Sequence, residues 1–234
     1  MVLAHAEQRE LNAPGASAPA TEIELPGGFR IKDKFINFDQ ERIQLTIAYR
    51  RLHQDPNASD VIIEPKMIIL HWTAIPSFNS TWNYFNRNRA EAAREQLAAA
   101  GEVNVSAQFL VDRDGTIYRL MPENWMARHC IGLNHVAIGV ENVGDGDKFP
   151  LTQAQVEANA ALVRYLAKKY PITHLIGHME YRQMEGHAYF LERDPKYRNT
   201  KPDPGKEFMD QVRARVADLK LQGPPGGRTS KIPA

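Results

Sequence analysis

The sequence predicts an α/β fold, a mixed central β-sheet flanked by helices. Two observations carry that prediction. Short apolar runs alternate with helix-prone stretches across residues 61–222, and one pair of runs is joined by a tight Asp-Gly turn. A chain of 234 residues, 43% hydrophobic and 24% charged, can bury one good core. The expected organisation is a flexible segment 1–22, an extension 23–60 folded onto the core, a main domain 61–222 and a flexible tail 223–234.

Each element has its own warrant. In the extension, Phe29, Ile31, Phe35, Ile36 and Phe38 are apolar enough to pack, and 39–53 suits a helix. Met67 to Leu70 is an apolar run of the length of a fully buried strand. Ser80 to Ala100, rich in Ala, Glu and Arg and followed by Gly101, predicts one helix. Ala107 to Val111 and Thr116 to Leu120 flank Asp114-Gly115, which predicts a hairpin. Val136 to Val140 is a β-branched strand running into Glu141. Thr152 and Gln155 form a capping box for a helix that places Val156, Ala160 and Val163 on one face and ends at Tyr170-Pro171. Ile172 to Ile176 predicts the next strand, and Gly205 to Leu219 a final amphipathic helix.

Composition excludes several classes. A net charge of +1 gives no basis for nucleic acid as a partner, and no apolar stretch reaches the length of a membrane-spanning helix. A single cysteine, Cys130, rules out an intramolecular disulfide and a four-cysteine zinc site. Residues 2–6 read VLAHA, with the small-x-small pattern of a signal-peptidase site. The expectation is therefore a periplasmic or secreted protein, with a cytoplasmic one as the alternative.

Three short segments carry chemistry: IILHWT (68–73), LIGHMEY (175–181) and TKPDPG (200–205). Together they offer two imidazoles and a carboxylate, His71, His178 and Asp203. Such a set suits one zinc ion with a place left open for water. His71 and His178 each close a short apolar strand, so parallel pairing would bring both to one rim of the sheet. Alternatives stay open at this point. Asp203 before Pro204 reads equally as the N-cap of the following helix, and His174 and His178, four apart with His187 close by, offer another set, although that pair would share a face only on a helix, which Pro171 and the β-branched Ile172-Thr173 argue against.

The ordered series IILHWT, SAQFLVDRDGTIYRLMPE (106–123), ARHCIGLNHVAIGVEN (127–142), LTQAQ (151–155), IGH and KPDPG resembles the type-2 N-acetylmuramoyl-L-alanine amidases. That family includes the bacterial anhydromuramyl amidases, which this chain resembles most, and the peptidoglycan recognition proteins. The resemblance implies their α/β fold, one zinc ion on His71, His178 and Asp203, Glu141 as acid and base, and Lys201 as oxyanion stabiliser. It implies peptidoglycan or a muropeptide as substrate, cut at the amide between N-acetylmuramic acid and L-alanine. His129 and Asn134 are expected to line the substrate pocket, with Arg128 offering a cation where a tryptophan is frequent. Cys130 is expected to be a small buried hydrophobe. Members that bind peptidoglycan without cutting it form the alternative, but these typically lose a ligand, whereas all five site residues are present here. Residues 179–199 are an insertion relative to the recycling amidases, expected either to wall the cleft or to be a passive excursion.

Overall fold

The computed structural model describes residues 22–226. The possible signal-peptidase site at 2–6 lies outside them, as do residues 1–21 and 227–234 of the expected terminal segments. Within 223–226, Pro224 is buried.

A seven-stranded sheet organises the chain, in the order β1-β2-β5-β4-β6-β3-β7. Its strands are β1 (Glu22–Glu24), β2 (Arg30–Asp33), β3 (Met67–Trp72), β4 (Phe109–Val111), β5 (Ile117–Arg119), β6 (Ala137–Asn142) and β7 (His174–Gly177). Pairing is antiparallel for β1/β2 and β4/β5 and parallel elsewhere, so the sheet is mixed. The β4/β5 hairpin turns at Gly115, whose φ is +87° and where a Cβ would lie 2.9 Å from the Ala154 carbonyl oxygen.

The helices are α1 (Gln40–His53), α2 (Phe78–Phe85), α3 (Glu95–Ala99), α4 (Gln153–Lys169) and α5 (Lys206–Arg215). Asp39 caps α1 by accepting from the Arg42 N–H, and basic residues occupy its last turn. The Thr152/Gln155 capping box opens α4. One face of the sheet, with Ile68, Leu70, Ile138 and Val140, packs under α4 and α5. On the other face, Met67, Ile69, Ala137 and Ile176 meet Cys130, Leu133, Tyr181 and Met184.

The single helix expected over 80–100 is instead two, α2 and α3, separated by nine irregular residues, 86–94. Distant side chains take the carbonyls that would continue α2. Arg42 donates to the Phe85 and Arg87 oxygens at 2.7 and 3.1 Å, and Asn104 donates to the Tyr84 oxygen at 2.7 Å. Propensity yields to these contacts.

Within the extension, β2 lies parallel to β5 and buries Ile31 completely. Ile43 and Ile47 of α1 join the cluster around Leu120 and Trp125. The segment 179–199 opens as a 3₁₀ turn, His178–Met184, and buries Tyr181 and Met184. Its two ends are tied by the Tyr181 hydroxyl, which donates to the Asn199 carbonyl and accepts from the Asn199 N–H.

Candidate metal centre

Strand parity decides which side chains meet. Alternate residues of a strand share a face, so Met67, Ile69 and His71 point one way, as do Ala137, Gly139 and Glu141 on the neighbouring strand. The register pairs His71 with Glu141 and Ile69 with Ile176, which carries His178 to the same face and the same rim. Asp203 comes to this rim from the loop before α5. Its cap reading is corrected: Gly205 occupies the N-cap of α5, and the Asp203 carboxylate faces the histidines instead.

Three atoms form a tight triangle. His71 Nδ1 and His178 Nδ1 are 3.0 Å apart, and Asp203 Oδ2 lies 3.2 and 3.0 Å from them respectively. All three residues are buried. Zinc ligands at about 2.0–2.1 Å in tetrahedral geometry stand about 3.3 Å from one another, so the triangle has the size of one face of such a site. Hydrogen bonds alone satisfy it poorly, because protons placed to serve both edges to the carboxylate would crowd the edge between the imidazoles. A cation at the centre satisfies all three.

The protonation states agree. Burial, with His71 adding, lowers the His178 pKa to about 4 against the pull of Asp203. Burial would raise Asp203, but its close contacts with His178 and His71 outweigh it and hold the carboxyl well below its usual range. A neutral imidazole beside an ionised carboxylate is what a dication binds.

Glu141 stands beside His71, partly exposed, with Oε2 buried and without a hydrogen-bond partner among the described residues. Burial raises its pKa well above the usual value, Asp203 adds to the shift and Lys201 opposes it. Lys201, with His129, His178 and Asn199, lines a cleft of about 670 Å³ that is also lined by Leu97 and Tyr197. Residues 194 and 196–199 of the insertion therefore form part of its wall.

One expectation about the cleft is corrected. Arg128 lines it, yet the residue is only 4% exposed, and its guanidinium donates to the carbonyls of Leu97, Gly101 and Val103 and to the Tyr197 hydroxyl. It braces the wall and presents no free cation. Asn134 also lines the cleft but is fully buried, and its Oδ1 accepts from the backbone N–H groups of His129 and Cys130. His129 contacts His71 at the site: Nδ1 lies 3.0 Å from His71 Nε2. Burial pushes the His129 pKa well below its ordinary value, and His71 and His178 add to this. Cys130 is buried, which pushes its thiol pKa up. His174 faces His187 and Tyr189, apart from the triangle.

Sequence reading missed one structural pair near the cleft. His53 and Glu192 meet at 2.8 Å with side chains 2% and 0% exposed, joining α1 to the insertion. Nothing local in either segment signals that contact.

A buried two-histidine, one-carboxylate set at the rim of a mixed sheet, opening on a cleft, defines a candidate metal site. Residues 63–206 match the N-acetylmuramoyl-L-alanine amidase family, and the chain belongs to that family. Among solved structures, the N-acetylmuramoyl-L-alanine amidase LysC from Clostridium intestinale URNW is similar at 23% identity and a TM-score of 0.52, over 82% of this chain and 99% of that one. That likeness shows the fold. The endolysin amidase LysCS from the same organism is 25% identical over 68% of this chain and 86% of that one, with a TM-score of 0.48. The human PGRP-IBETAC, solved with glycosamyl muramyl pentapeptide, is 18% identical over 64% and 83% of the two chains, with a TM-score of 0.44. No curated protein sequence matches the chain.

Proposed function

We propose that this protein is a zinc-dependent amidase that cleaves the bond between N-acetylmuramic acid and L-alanine in peptidoglycan or its fragments. The observation that carries the proposal is the triangle of His71 Nδ1, His178 Nδ1 and Asp203 Oδ2, with edges of 3.0–3.2 Å. When bound there, a zinc ion supplies Lewis acidity towards water and the scissile carbonyl. Glu141, whose raised pKa makes it a better base than an exposed carboxylate, takes the proton from the attacking water and delivers it to the leaving nitrogen. Lys201, on the cleft wall, balances the charge that develops on the carbonyl oxygen. The cleft holds the stem peptide beside the triangle.

Mass spectrometry of muropeptides incubated with the protein tests this. Release of a free peptide beginning at L-alanine is expected, with loss under a chelator and recovery on adding zinc. Binding without any release in the presence of zinc would refute the amidase reading and leave a recognition module. An Asp203→Asn variant is expected to lose zinc, and a His174→Ala variant to keep it; the reverse would refute the ligand set.

A further inference from the structure

We propose that His129 is the positioning residue of the metal centre, fixing the His71 ring through a hydrogen-bonded chain so that Nδ1 is the nitrogen left to bind a cation. The inference rests on the zinc reading above and concerns a residue behind the ligand.

The chain can be followed atom by atom. The Ala137 carbonyl only accepts, so the nitrogen facing it at 3.4 Å, His129 Nε2, carries the proton. In a neutral ring that leaves His129 Nδ1 as an acceptor. It lies 3.0 Å from His71 Nε2, which therefore donates. With its proton on Nε2, His71 has its lone pair on Nδ1, the atom in the triangle. An imidazole ligand whose second nitrogen is held this way has both its tautomer and its orientation settled before metal arrives.

The surroundings are shaped for this ring. A Cβ at Gly139 would sit 2.8–2.9 Å from His129 ring atoms, so the glycine in the middle of β6 is what lets the imidazole lie against the strand. Gln108 also holds that glycine, accepting from the Gly139 N–H at 2.7 Å. Asn134 Oδ1 fixes the backbone at 129 and 130. The two rings meet edge to face, their planes at 88°. His178 differs: its Nε2 is buried and has no hydrogen-bond partner among the described residues. The support is thus asymmetric, and the ligand it serves is His71.

Zinc affinity, measured on the full chain by competition with a chromophoric chelator, tests the inference without reference to turnover. His129→Ala is expected to weaken zinc binding about 10- to 100-fold. His129→Gln offers an oxygen acceptor and an amide donor and is expected to recover part of that loss. Gly139→Ala, which displaces the ring while keeping His129, is expected to weaken binding as well. The visible spectrum of the cobalt-substituted protein should shift in His129→Ala, reporting a changed ligand geometry. Near-ultraviolet circular dichroism of the metal-free proteins identifies a folding failure; should His129→Ala fail to fold, Gly139→Ala and His129→Gln decide. Wild-type affinity in a folded His129→Ala, or in both other variants, overturns the positioning role alone. A wild-type protein that binds no zinc overturns the metal reading and this inference with it.

Discussion

Replacing Glu192 by alanine removes the carboxylate that joins the insertion to α1. Its Oε1 lies 2.8 Å from His53 Nδ1 and accepts from the Asp194 N–H at 2.9 Å. His53 is otherwise fully engaged: Nε2 faces the Ala100 carbonyl at 2.6 Å, and the ring lies between Tyr49 and Tyr197 at centroid distances of 4.3 and 4.8 Å. Without Glu192, the buried Nδ1 of His53 has no partner, which costs about 1–3 kcal/mol. Losing the bond from Asp194, whose N–H can turn to water, adds about 1 kcal/mol. The sum, about 2–4 kcal/mol, overlaps the roughly 3–5 kcal/mol seen when one member of a buried pair is removed. Urea unfolding at neutral pH should show this as a lower midpoint with an unchanged slope. Glu192→Gln keeps one acceptor oxygen and should lose less. Because Tyr197, Arg198 and Asn199 follow closely and line the cleft, the same variant should raise KM more than it lowers kcat in the amidase assay. A stability change below about 0.5 kcal/mol, the range of an ordinary surface substitution, would refute the reasoning.

Two further outcomes can be checked. Glu141→Gln should lower kcat about 10²- to 10⁴-fold while zinc content stays at the wild-type level; loss of the metal would instead make Glu141 part of the ligand shell. His135 gives a pH dependence away from the triangle: burial, with Arg50 and Lys66 adding, lowers its pKa from 6.5 to about 4. The unfolded chain then takes up the proton first, so this contribution to stability is complete above about pH 6.5 and is lost as pH falls towards 4. The stability of wild type relative to His135→Gln should fall by roughly 2 kcal/mol between pH 7 and 5, and equal pH slopes would refute the assignment.

Strand-end chemistry was the legible part of the sequence. His71, Glu141 and His178 follow short apolar runs whose period of two sends them to one face, and parallel pairing brings them to one rim. What sequence concealed depends on partners far away in the chain. Asp203-Pro204 has the local pattern of a helix start, and only the position of two histidines from other strands shows where its carboxylate goes. Residues 80–100 have helical composition, and the break comes from Arg42 and Asn104. Arg128 reads as an available cation until three carbonyls from residues 97–103 are found around it.

The short edge strand β1 and its neighbour β2 bear on how this protein can be cut into working pieces. Residues 63–206, the stretch that matches the family, contain β5 but not β2, which supplies the hydrogen bonds on its outer side. Trimming to that stretch would leave a line of open backbone donors and acceptors, a template on which copies could associate into aggregates. In the intact chain, the sheet ends instead on a three-residue strand bearing Glu22 and Glu24, short and charged enough to discourage such growth. A soluble fragment for crystallisation or labelling therefore has to begin before Glu22, well upstream of where similarity to the family starts.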